Sequence, residues 1–132
     1  MSKENVEVVR EMVTATAHGD WPAAISRFHP DVELDQTRMP GGGTYRGVDG
    51  VWSFYRDWFG SWQDIEITPQ DVLDVDVERV LLLLTISGTG RESGVPVSMD
   101  TADLYTLRGR RIVHAIGYPD RREALKAAGL SE

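Results

Sequence analysis

Two hydrophobic periods divide this chain. Up to Trp62 the apolar residues recur mostly at three- and four-residue steps, and from Ile65 to Tyr118 they alternate. Val6, Val9, Met12, Val13 and Ala17 stripe a helix over Glu4–Ala17, which Gly19 ends. Asp20 offers an N-cap and Pro22 sits in the first turn of a second, short helix from Trp21 to about Phe28, stopped by His29-Pro30. Val32 and Leu34 stand between acidic neighbours, so Asp31–Gln36 reads as a short strand. Val51, Phe54, Tyr55, Trp58, Phe59 and Trp62 form one broad stripe on a third helix, Gly47–Trp62. Strand patterns follow at Ile65 and Ile67, Val72–Val77, Arg79–Thr89, Val95–Leu107 and Arg111–Tyr118, with turns at Gly88–Gly94 and Gly109. Asp120 with Glu123 marks the start of a last short helix, and Gly129 its stop. Helices gathered ahead of a four-stranded antiparallel meander specify an α+β fold and exclude a doubly wound sheet. With 132 residues and no linker, residues 1–132 form one domain.

Charge and composition remove several functions. The net charge of -7 is spread along the chain, so nucleic acid, which needs a cationic surface, is not an expected partner. Arg108, Arg110 and Arg111 flank Gly109 and read as a solvated hairpin tip. There is no cysteine, which excludes disulfides, thiol catalysis and thiolate metal sites. No two histidines stand at metal-ligand spacing, so neither a metal nor another cofactor is expected. The longest apolar run, Val80–Leu84, is far too short to cross a membrane. Met1–Asn5 carries no apolar signal region, and a cytoplasmic location is the expectation. Met39-Pro40-Gly41-Gly42-Gly43 leads into no helix carrying Lys-Ser/Thr, so it is a loop rather than a phosphate cradle.

Val80–Leu84 also bears on assembly. A strand apolar on both faces must be covered on both. The N-terminal helices cover one. A second copy of the chain, giving a two-fold dimer, or the terminal helix would cover the other.

Six segments recur in a recognisable order: His18-Gly19-Asp20-Trp21, Phe28-His29-Pro30-Asp31-Val32-Glu33, Tyr45-Arg46-Gly47-Val48-Asp49-Gly50-Val51, Phe54-Tyr55-Arg56-Asp57-Trp58, Gly109-Arg110-Arg111-Ile112-Val113 and Tyr118-Pro119-Asp120-Arg121-Arg122-Glu123-Ala124-Leu125. By their order and spacing the chain resembles the SnoaL-like, ketosteroid-isomerase-like branch of the nuclear-transport-factor-two-like superfamily over nearly its whole length. The resemblance implies a cone, with a curved antiparallel sheet wrapped by N-terminal helices around a pocket for a small hydrophobic molecule. It implies cofactor-independent acid–base chemistry of cyclase, isomerase or dehydratase type on a carbonyl compound. The same fold also hosts non-catalytic ligand-binding proteins and protein-interaction modules.

In ketosteroid isomerase an Asp base works with an oxyanion site of a Tyr and a protonated Asp. By the resemblance Asp103 matches the oxyanion-site Asp, on one strand face with Met99, Thr101, Tyr105 and Leu107; a reversed face would put it in solvent instead. Tyr55 matches a supporting tyrosine, able to donate to Asp103 or to a bound oxygen, or else to serve as core. Met12 stands where the isomerase has its main oxyanion Tyr and cannot donate. The base position falls on Gln36, with Asp35 one residue earlier. Alternation turns Gln36 inward with Val32 and Leu34, whereas a one-residue bulge would turn Asp35 inward. Trp58 and Trp62 either wall the pocket or belong to the core. The resemblance turns the small residues Ala115 and Gly117 toward the pocket, which would leave it room, with His114 on the outer face. His29 reads as a packing or capping residue and His18 as a loop residue.

Overall fold

The computed structural model describes residues 2–130. The elements in chain order are α1 (Ser2–Ala17), α2 (Trp21–Ile25), β1 (Phe28–Asp35), β2 (Thr44–Arg46), α3 (Gly47–Gly60), β3 (Trp62–Asp74), β4 (Arg79–Gly90), β5 (Pro96–Arg108), β6 (Arg111–Tyr118) and α4 (Arg121–Ala127). The strands form one curved six-stranded sheet in the order β2-β1-β6-β5-β4-β3. β3 to β6 make the expected antiparallel meander, and β1 joins it parallel to β6.

The inner sheet face and the apolar stripes of α1 and α3 close the main core around Val9, Met12, Val13, Val32, Leu34, Val51, Tyr55, Val80 and Leu82. The outer face carries a second cluster, in which Leu81, Ala102, Leu104 and Tyr118 pack against Ala124 and Ala128 at the end of the chain. The both-face apolar run is thus covered partly from within: α4 seals Leu81, and Leu83 on the same face stays half-buried. Asp120 holds α4 in place by accepting the backbone N–H of Arg122 at 2.9 Å. Arg38 lies over the Tyr118 ring at 5.0 Å, tying the loop after β1 to the same corner.

Several boundaries differ from the sequence reading, among them that the patterns at Ile65–Ile67 and Val72–Val77 join in one strand ending at Asp74. α2 is shorter and β1 begins at Phe28, because Ile112 donates its N–H to the Arg27 carbonyl and draws the chain onto β6 at that point. Thr44–Arg46 is a strand, antiparallel to Glu33–Asp35, and its three residues are too few to show alternation. α3 stops at Gly60, and Trp62 opens β3 instead of closing the helix. Arg91 explains that stop. Its guanidinium donates to the carbonyls of Gly60 and Trp62 at 3.0 Å each, and its backbone N–H donates to Ser61, so a cation satisfies the helix's C-terminal end. β3 is an edge strand broken by register shifts at Gln63/Glu66 and Pro69/Asp71, irregularities that blunt an edge against pairing with another chain.

Candidate functional site

Between α1, α3 and the inner sheet face lies a partly open cavity of about 90 Å³. α3 lines it with Phe54, Tyr55, Trp58 and Phe59, α1 with Met12 and Thr16, and β4 with Leu82, Leu84 and Ile86. Thr101, Asp103 and Tyr105 enter from β5 and Ala115 from β6, while Leu34, Gln36 and Met39 close the side of β1. The aromatic side is closely packed. Tyr55 meets Trp21, Phe54 and Phe59 at ring distances of 5.8–5.9 Å, and Phe54 stacks on Trp58.

Strand register explains how the polar groups gather. Leu82, Asp103 and Gly117 are neighbours across β4, β5 and β6, and Val80, Tyr105 and Ala115 form the adjacent row. Because side chains alternate, Asp103 and Tyr105 point to the same inner face, while Ala102 and Leu104 point to the outer cluster. Tyr105 donates its hydroxyl to Oδ2 of Asp103 at 3.2 Å. Asp103 keeps some exposed surface, but that surface faces the apolar cavity rather than bulk water. Desolvation therefore pushes its carboxyl up to about 6, against the opposing pull of the Tyr105 hydrogen bond. Burial, and then the Asp103 charge, hold the Tyr105 hydroxyl well above the usual phenol range. A carboxyl tuned in this way can accept or donate a proton near neutral pH.

Tyr55 is placed otherwise than the resemblance implied. Its hydroxyl lies 2.8 Å from Thr16 Oγ1, and Thr16 donates its single proton to the Met12 carbonyl at 2.9 Å. Tyr55 is therefore the donor to Thr16, and Tyr105 is the partner of Asp103. Burial pushes the Tyr55 hydroxyl up to about 12. Tyr105 and Thr16 are polar site residues that the sequence reading did not assign, beside apolar ones such as Phe54, Leu82 and Ile86. The signal for Tyr105 was its two-residue spacing from Asp103, and for Thr16 its four-residue spacing from Met12.

Gln36 enters the cavity and Asp35 turns away. The irregularity in β1 falls between Phe28 and Glu33, upstream of the point where it could exchange them. Asp35 instead accepts the Thr37 hydroxyl at 2.6 Å and the Thr37 N–H at 3.0 Å, bonds that hold its carboxyl below the usual range. Trp62 sits beside the cavity, behind Trp58 at 5.8 Å, because α3 ends before it. Met99 packs on the core one pair beyond Thr101, where its neighbour Ile86 takes the lining position. Gly117 is buried and covered by the Gln36 side chain, so it does not itself line the cavity. His114 lies on the outer side, 3.5 Å from Glu33, and His29 accepts the Asp31 N–H. Among the described residues no group of three or more His, Asp or Glu side chains is arranged to hold a metal ion.

The model of the SnoaL-like domain matches residues 9–115, a span that takes in every residue lining the cavity. The chain belongs to the SnoaL-like family. Solved structures agree on the fold of this SnoaL-like chain. An NTF2-like protein of unknown function from Burkholderia pseudomallei is 23% identical with a TM-score of 0.78, over 93% of this chain and 95% of that one. TerC, co-crystallised with polyporic acid, is 20% identical with a TM-score of 0.79, over 96% and 98%. A provisionally named polyketide cyclase from Xanthomonas campestris pv. campestris is 17% identical with a TM-score of 0.74, over 96% and 97%. No curated protein sequence matches the SnoaL-like chain significantly.

Proposed function

We propose that this SnoaL-like chain is a cofactor-independent acid–base enzyme acting on a small, uncharged carbonyl compound, with Asp103 as the group that moves the proton. The supporting observation is the carboxyl itself, desolvated to about 6, facing a largely apolar cavity and bonded among the described residues only to Tyr105. Ionised, Asp103 takes a proton from the carbon next to the carbonyl. The enolate oxygen so formed accepts from Gln36 or from the Thr101 hydroxyl, and the proton returns to the same or another carbon. Isomerisation, dehydration and aldol-type ring closure all begin with that step. Asp35 has no part in this reading, since its Oδ1 accepts from Thr37 and its Oδ2 faces the Arg38 guanidinium at 3.5 Å. Size limits the substrate. About 90 Å³ is less than the roughly 150 Å³ cavity that takes up benzene, so the space as it stands suits a molecule of a few heavy atoms rather than a fused polycycle.

The test is exchange of α-protons in deuterated buffer with a panel of small ketones, followed by NMR. Asp103→Asn keeps an acceptor for Tyr105 and should slow exchange by at least about 100-fold. Exchange at the same rate in both proteins would refute the proposal. A second reading, a binding protein without turnover, is favoured by one observation: both tyrosine hydroxyls of the cavity are spent on protein partners, and Met12 offers no donor. Thermal stabilisation by the same ketones with no exchange would favour it.

The assembly belongs to the same proposal. Leu73, Val75, Leu83 and Ile116 lie half-exposed around the patch that α4 covers, and a second copy related by a two-fold axis would bury them.

A further inference from the structure

Asp103 has no side chain opposite it on β6, because its neighbour there is Gly117. The space is filled from a third strand. A Cβ at Gly117 would stand 2.7 Å from Gln36 Oε1 and 2.9 Å from Nε2, so the amide of Gln36 occupies the position that a side chain at 117 would take. The main chain of Gln36 is fixed. Its N–H donates to Gly43 at 2.9 Å, its carbonyl accepts from Met39 at 3.1 Å, and Gly42 packs so closely that a Cβ there would lie 1.8 Å from that carbonyl oxygen. The side-chain amide, by contrast, has no hydrogen-bond partner among the described residues, and it lines the cavity beside Asp103. A neutral amide cannot take up a proton at these pH values. What it offers is two donors and an acceptor held in one place.

We infer that Gln36, seated on Gly117, is a specificity-determining residue that selects uncharged ligands carrying two oxygen functions a few bonds apart, one meeting Asp103 and the other the Gln36 amide. The inference rests on the cavity being a small-molecule site, as proposed above, and names the substrate class that such a site prefers. Neutrality follows from the amide, and the short spacing of the two oxygens follows from the direct pairing of Asp103 with Gly117. The amide accepts a hydroxyl or a carbonyl as the second function, since it can donate and accept.

Calorimetric titration with 1-propanol, 1,2-propanediol and 1,3-propanediol, small enough for the cavity, tests it on the full chain, on Gln36→Leu and on Gly117→Ala. The three probes share one three-carbon chain and differ in the second oxygen. The wild type should bind at least one diol about five- to tenfold more tightly than 1-propanol, the worth of one added hydrogen bond. Gln36→Leu should bring that ratio to within about twofold. Gly117→Ala should do the same while leaving residue 36 unchanged, because the new methyl evicts the amide. Equal binding of the three probes by the wild type, or a diol preference that survives in Gln36→Leu, overturns the inference and leaves the cavity reading standing. Failure of all three probes to bind the wild type overturns both. If Gly117→Ala does not fold, judged by circular dichroism, Gln36→Leu decides alone.

Discussion

At the scale of single residues the chemistry concentrates in Asp103. Its folded value of about 6 lies above the ordinary 3.8, so between those values the folded chain holds a proton that the unfolded chain has lost. Stability contributed by the neutral form is complete below about pH 4 and falls as pH rises through 6, by up to about 3 kcal/mol. Asp103→Asn removes this dependence. Urea unfolding at pH 3.5 and pH 7.5 should show the variant gaining on the wild type by roughly that amount between the two conditions; a difference independent of pH would mean that the carboxyl is well solvated. The sequence already placed Asp103, Thr101 and Tyr105 on one strand face, because alternation is a local property of an extended chain. It did not say which tyrosine would reach the acid. That depended on where α3 lies over the sheet, and Thr16 on α1 takes the Tyr55 hydroxyl first.

At the scale of elements, α4 is the piece whose role the linear pattern left open between two alternatives. It covers Leu81 and Leu104 from the outside and depends on Asp120 for its start. Asp120→Ala should cost about 1 kcal/mol, seen as a lower urea midpoint with an unchanged slope. A loss of several kcal/mol would mean that Asp120 does more than cap the helix. The boundary of α3 shows the opposite kind of limit. The aromatic stripe continues to Trp62 in sequence, yet the helix ends at Gly60 because Arg91, from the turn after β4, caps it. A partner roughly thirty residues away leaves no mark on a local hydrophobic period. Thr44–Arg46 escaped for a related reason, since a three-residue edge strand is defined by the strand it pairs with.

At the scale of the whole molecule, the proposed two-fold assembly rests on the sheet's outer face. Among the described residues no helix is long and apolar enough to cross a membrane. Sedimentation velocity at micromolar concentration should show a dimer, and Leu83→Glu, which places a charge on the half-exposed part of that face, should yield a folded monomer. A wild type that sediments as a monomer throughout would remove the proposed two-fold assembly.

The order of the helices and of the meander strands, the family and the shared face of Thr101, Asp103 and Tyr105 on β5 were present in the sequence, because they depend on local periodicity and on motifs of neighbouring residues. Three features were settled only by tertiary structure: the pairing of Tyr105 rather than Tyr55 with Asp103, the turn of Gln36 onto Gly117, and the cover that α4 gives to Leu81. Each joins residues from different elements. Their distances are set by how those elements pack, which no single stretch of the chain encodes.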